Sequence, residues 1–345
     1  MTRPQRPTLR QVAAVADVGI KTASRALNGE PGVAPATLAR VQDAAASLGF
    51  RPNALARELR SKQRSTTVGL VIGDLANPFY SLIASAVERT LTPHGKQLII
   101  ASHEESPDRE RRIVRALVER RVEALLLVPS GGDATYLAAE LAMDLRIVAL
   151  DRPLFGVDVD TVLIDNRGGT VDAVRDLVAR GHRRIGFVGD DEHLWTIRER
   201  LAGFTSAIFE HGLPLEPDLV RTGAHNADVA ERLAGALLEL PKPPTAIFAS
   251  NNLALLGSLR AVSRHGATAD LVGFDRFEAA DLVEAPVSLV ENDPTEMGRV
   301  GAAFALERMA NPSAAPRTVV LPTRLTHPGR GAPARQPVAR GDMSA

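Results

Sequence analysis

Cysteine is absent from the 345-residue chain, which excludes disulfides and thiolate chemistry and fits a reducing compartment. No apolar run reaches the roughly 18 residues that a membrane-spanning helix needs. Met1 to Arg10 is polar and proline-rich and lacks the apolar stretch of a secretory signal. These absences predict a soluble, cytoplasmic protein. Catalytic signatures are also missing: there is no G-x-S-x-G, no P-loop, no H-E-x-x-H, and no G-x-G-x-x-G behind a candidate strand. The eight histidines are scattered without metal-ligand spacing, and His94, His103, His182 and His211 read as surface or structural residues. Gly131-Gly132-Asp133 and Gly168-Gly169-Thr170 read as loop and helix-start glycines. No catalytic residue, metal or cofactor is expected.

Net charge is zero, but its distribution is not even. Residues 1–64 carry eleven Lys/Arg against four Asp/Glu, a net of +7, and the remainder is correspondingly −7. A small basic head on an acidic body predicts that the head meets a polyanion and the body does not.

The head reads as three short helices. Leu9, Val12, Ala13 and Ala16 mark one apolar helical face that begins after Thr8, a good N-cap. A turn through Asp17-Val18-Gly19 leads to a second helix from about Ile20 to Leu27, ended by Asn28-Gly29. A third carries Leu38, Val41, Ala45 and Leu48 on one face and closes at Gly49. Two short helices joined by a tight turn, with a supporting third, make a helix-turn-helix. Residues 51–66 follow as a hinge and linker. There, Leu55 and Leu59 share a face of a two-turn helix too short to be stable alone.

From Val68 onward, apolar β-branched runs alternate with amphipathic helices. Ten candidate strands begin at Val68, Gln97, Ala124, Arg146, Val162, Arg184, Thr245, Asp270, Ser288 and Thr318. Continuous apolar strands separated by helices predict parallel sheet covered on both faces, and ten strands predict two lobes. The first lobe takes about 67–163 plus 294–322, and the second about 164–293 plus 323–328. Ligands of such sheets sit beyond the C-terminal strand ends. No repeat of 20–50 residues is visible, and residues 329–345 read as a disordered tail rich in Pro, Gly, Ala and Arg.

Several segments resemble the LacI/GalR repressor family. In the head they are Leu9-Arg10-Gln11-Val12-Ala13, Thr22-Ala23-Ser24-Arg25-Ala26-Leu27-Asn28-Gly29 and Leu48-Gly49-Phe50-Arg51-Pro52-Asn53-Ala54-Leu55-Ala56. In the body they include Asn77-Pro78-Phe79-Tyr80, Asp151-Arg152-Pro153, Arg198-Glu199-Arg200-Leu201-Ala202-Gly203-Phe204 and Gly273-Phe274-Asp275. The resemblance covers about residues 7–328. It implies a helix-turn-helix head on a periplasmic-binding-protein-like core of two doubly wound parallel-sheet lobes. The function it implies is a sequence-specific transcriptional repressor, a homodimer on a near-palindromic DNA operator. A small molecule between the lobes, a sugar or sugar derivative by family precedent, would control operator affinity.

By resemblance, Ile20 and Lys21 read bases in the major groove, and Arg25 reaches a base or phosphate. Lys21 suits the guanine acceptors and Ile20 a thymine methyl. Thr8, Leu9, Thr22, Ser24 and Asn28 lie at positions suited to positioning contacts. Leu59, with Asn53 and Ala56 beside it, matches the hinge leucine that wedges into the minor groove. Gly19 and Ala34 stand where the family usually has Ser caps. Positions matching family ligand contacts are Phe79, Asp151, Arg198, Asn251 and Asp275, with His225 and Asn292 as weaker candidates. Trp195, the sole tryptophan, either stacks on a ligand ring or fills a gap. Asn252 replaces the usual Asp of an Asn-Asp pair.

Two other function classes share parts of this pattern. A sugar-binding transport protein would have a similar body but no use for the basic head. A sugar-modifying enzyme with a regulatory head would need a nucleotide motif, which the body lacks.

Overall fold

A computed structural model describes residues 7–50, 65–276 and 287–327. The chain divides into two units, residues 1–65 and 66–345.

In the first unit, helices α1 (Leu9–Val15), α2 (Ile20–Leu27) and α3 (Pro35–Leu48) enclose a small core. Its buried side chains are Val12, Ala13, Ala16, Ala23, Ala26, Val41, Ala44 and Ala45, and the prevalence of alanine lets short helices approach closely. Helix α1 opens with a capping box: Thr8 Oγ1 accepts from the Gln11 N–H while Gln11 Oε1 accepts from the Thr8 N–H at 2.7 Å. Helix α3 starts with Pro35 in its first turn and stops at Gly49, whose φ of 64° is left-handed.

Among the described residues the second unit contains twelve strands. They are β1 (Thr67–Ile72), β2 (Gln97–Ser102), β3 (Ala124–Leu127), β4 (Arg146–Leu150), β5 (Asp160–Ile164), β6 (Ile185–Val188), β7 (Val220–Arg221), β8 (Ala246–Ala249), β9 (Asp270–Phe274), β10 (Val287–Glu291), β11 (Thr318–Leu321) and β12 (Arg324–Thr326). They form two six-stranded sheets, ordered β2-β1-β3-β4-β5-β11 and β7-β6-β8-β9-β10-β12. All pairings are parallel except β12 with β10. The two orders match position for position, so a repeat invisible in the residues exists in the topology. Strands β3 (ALLL) and β8 (AIFA) are buried at every residue, as expected of central parallel strands covered by helices on both faces.

The chain passes between the lobes after β5, after β10, and again between β11 and β12. Helix Pro294–Ala310 returns to the first lobe, packing on β3, β4, β5 and helix Pro78–Leu91. Each sheet reverses its strand order between its first and third strands in the chain (β1/β3 and β6/β8), which places a crevice at the carboxyl ends of both sheets. Two short strands, β7 and β12, carry no sequence signal because two or three residues cannot show a period.

Candidate functional site

The head presents a polar face on α2. Gly19 is the N-cap and supplies no side chain, so among the described residues the first N–H groups of α2 have no side-chain cap. Ile20 is 47% exposed, so its apolar surface is not part of the head core. Lys21 beside it is exposed, and Thr22 and Ser24 are half-buried. Asn28 Nδ2 donates to Ser24 Oγ at 3.4 Å. Arg25 folds back on the following loop, donating to the Pro31 carbonyl at 2.5 Å with its Nε 3.6 Å from Glu30. Leu9 is half-buried against the core, and the Thr8 hydroxyl is engaged in the capping box. Asn53, Ala56 and Leu59 lie outside the described residues, as does the tail from 328 onward.

The second site is the crevice between the two lobes. Asp151 follows β4 and Asp275 follows β9, which are corresponding strands. Both are left-handed, with φ of 64° and 68°. Their backbone N–H groups donate to equivalent carbonyls, Val162 for Asp151 and Val290 for Asp275, at 2.8 and 3.1 Å. Non-glycine residues at positive φ cost about 1 kcal/mol or more. Here that conformation turns a carboxylate from each lobe into one cleft.

Two buried arginines hold the carboxylates. Arg152 donates from Nη1 and Nη2 to Glu105 at 2.5 and 2.9 Å, and also to the Pro129 carbonyl and the Tyr80 hydroxyl. Arg200 donates through Nε to Asn166 Oδ1 at 2.7 Å and through Nη1 to the Ser250 carbonyl and to Asp275 Oδ2 at 3.3 Å. Its guanidinium also stacks 3.7 Å from the centre of the Phe274 ring. Asp275 Oδ1 in turn accepts from Asn292 Nδ2 at 2.5 Å. Asp151 is 3% exposed and its Oδ1 has no hydrogen-bond partner among the described residues.

Electrostatics follow from this packing. Burial pushes the Asp151 carboxyl up to about 6, more than Arg152 and Arg200 pull it down. Burial likewise raises Asp190. Burial would raise Glu105 too, but Arg152 outweighs it and holds Glu105 below its ordinary value. The Tyr80 hydroxyl is raised well above its usual range, mainly by burial, and stays neutral as it accepts from Arg152. Among the described residues no group of three or more His, Asp or Glu side chains is placed to hold a metal.

Of the positions expected at a ligand, Phe79, Asp151, His225, Asn251 and Asp275 line the cleft together. Asn251 also caps helix Asn252–His265, accepting from the Ala254 N–H at 2.7 Å. Trp195 is the half-buried first residue of helix Trp195–Glu210 and lies outside the lining. Arg198 is exposed and donates to the carbonyls of Glu192 and His193; the arginine in the cleft is Arg200. Asn292 reaches the cleft only through Asp275. The sequence reading missed Tyr80, Glu105, Arg152 and Arg200. A helical signal for Arg200 was present: Ile197, Arg200, Phe204 and Ala207 form the buried stripe of that helix.

Comparison with known proteins agrees with both halves. Residues 8–53 match the model of bacterial regulatory proteins of the lacI family. Residues 65–321 match the model of periplasmic binding proteins and the sugar binding domain of the LacI family. The chain is 33% identical over 338 residues to the HTH-type transcriptional regulator CelR of Thermobifida fusca, covering 94% of this chain and 98% of that one. It is 27% identical over 306 residues to the HTH-type transcriptional repressor CytR of Escherichia coli K12, covering 88% and 89%. A solved CelR–cellobiose complex superposes with a TM-score of 0.69 at 31% identity, covering 94% of this chain and 99% of that one. The chain belongs to the LacI family of bacterial regulatory proteins.

Proposed function

We propose that this protein is a ligand-controlled transcriptional repressor. A homodimer binds a near-palindromic DNA operator through Ile20, Lys21 and neighbouring α2 residues. A small polar metabolite, a sugar or sugar derivative, binds between the lobes and sets operator affinity.

The observation that carries this reading is the pair Asp151 and Asp275, turned into one cleft from equivalent strand ends beside Arg200. Carboxylates and a guanidinium at this spacing accept from and donate to several hydroxyls of one polar ligand. The cleft space is about 90 Å³, which suits a compact ligand. A ligand that closes on both lobes favours one lobe arrangement over another, and operator affinity changes only through that difference. Similarity to CelR, whose solved complex holds cellobiose, supports the carbohydrate class.

The test is selection of a duplex from a random pool, followed by its binding measured with and without each member of a carbohydrate and nucleoside panel. A selected duplex whose affinity responds to one ligand supports the reading. A selected duplex that responds to no ligand of either class overturns the effector part.

A further inference from the structure

We propose that the cleft takes a compact polyhydroxylated ligand without negative charge and discriminates against the phosphorylated or carboxylated form of the same compound. The inference rests on the effector-binding reading above and adds the charge class of the ligand.

The ionisable groups of the cleft do not balance. Five carboxylates line it (Asp74, Glu105, Asp151, Asp190 and Asp275), against two guanidiniums and the His225 imidazole. Glu105 takes up Arg152 through a two-point contact, and Asp275 shares Arg200 with Asn166 and the Ser250 carbonyl. Among the described residues Asp74 and Asp190 accept only from neighbouring backbone N–H groups, Ala76 and Asp191. Asp151 adds a third charge: its Oδ2 lies 3.5 Å from Arg152 Nε, the one nitrogen that Glu105, Pro129 and Tyr80 leave over, and its buried Oδ1, without a partner among the described residues, is left for a donor from the ligand.

A phosphate needs free N–H groups or an unspent arginine fork. Two of the three helix starts at the cleft do not offer the former. Asn77 Oδ1 occupies the Phe79 N–H, and Asn252 and Asn251 occupy the Leu253 and Ala254 N–H groups. The third start, at Trp195, has no side-chain cap, but Asp190, Asp191 and Glu192 precede it in the chain. An anion entering here would meet uncompensated carboxylates in a region of low dielectric, where like charges repel most strongly. A hydroxyl or an ammonium group meets acceptors instead.

The test uses the full-length protein and matched sets of compounds: glucose, glucosamine and glucose 6-phosphate, with the corresponding galactose and ribose derivatives and the uronic acids. Thermal shift and calorimetric titration are read for each. The expected result is a concentration-dependent rise in Tm with at least one uncharged or ammonium-bearing member and none with its phosphate or acid. A phosphate or acid that binds more tightly than its parent overturns the proposal. Silence from every compound overturns the carbohydrate reading beneath it. In the double variant Asp74→Asn and Asp190→Asn, which keeps both Oδ1 acceptors, affinity for the phosphate relative to its parent should rise by about tenfold. An unchanged ratio contradicts the charge argument.

Discussion

Asn252 Nδ2 donates to Asn77 Oδ1 at 2.9 Å, joining a residue that follows β8 of one lobe to a residue that follows β1 of the other. The acceptor cannot simply turn its amide around, because the same Oδ1 caps its own helix through the Phe79 N–H. An aspartate at 252 would bring only acceptors to this point. Asparagine at 252, in place of the aspartate that the family resemblance implies, therefore supplies a bond across the cleft. Asn252→Asp should favour separated lobes and weaken effector binding by about tenfold, the value of one hydrogen bond plus a repelled carboxylate. Calorimetric titration checks this; unchanged affinity would show that the bond does not bias closure.

Lys21 stands exposed on the second residue of α2. Lys21→Ala should relax base preference at one operator position by about 1–3 kcal/mol while leaving effector affinity intact. Selection from a randomised operator reads the change directly. Preference retained at every position assigns the contact to another side chain.

Gly19 leaves α2 without a side-chain cap, and a Cβ there would meet nothing nearer than Thr22 Oγ1 at 3.9 Å. Its φ of −64° suits any residue. Gly19→Ser should therefore stabilise the head by roughly a few tenths of a kcal/mol, seen in chemical denaturation followed by far-UV circular dichroism.

Asp151 links cleft chemistry to stability. Burial raises its carboxyl from 3.8 to about 6, so between those values the folded chain holds a proton that the unfolded chain has released. Its contribution to stability is thus most favourable below pH 3.8 and is lost as pH rises towards 6. Asp151→Asn removes that loss. The variant should be more stable at pH 7 by on the order of 1–3 kcal/mol, and less pH-dependent across this window, yet blind to effector. Denaturant titrations at several pH values provide the check.

Arg198 and Arg200 are two residues apart on one helix, about 200° around its axis, and so face opposite ways. Arg200→Ala removes the donor to the Asn166 amide oxygen and the cation beside Asp275 Oδ2, leaving Asp275 only its bond from Asn292, and should cost about 3–5 kcal/mol and abolish the effector response. Arg198→Ala removes only donations from an exposed side chain to two carbonyls and should leave the response in place. Thermal melts and operator binding of the two variants separate these outcomes.

This arginine pair shows where the sequence stops being legible. The segment Arg198–Phe204 marks the helix by resemblance, but choosing between its arginines needs the helical phase, which Phe204 and Ala207 fix. Long features are legible: the strand at Arg146–Leu150 begins where its pattern predicts, and the helix at Ile20–Leu27 has the bounds that its pattern predicts. The pairing of Glu105 with Arg152 is not, because 47 residues separate them and Glu105 sits at a left-handed φ of 54° that no sequence pattern announces. The equivalence of Asp151 and Asp275 was hidden for another reason. The lobes share topology and strand-end geometry without sharing enough side chains to show a repeat.

The most direct test of the account is equilibrium binding of the full chain to its selected duplex and to random duplex at moderate salt, with and without a ligand that raises its Tm. The account predicts at least about a thousandfold preference for the selected duplex, altered several-fold or more by the ligand. Equal affinity for both duplexes, in either condition, would contradict it.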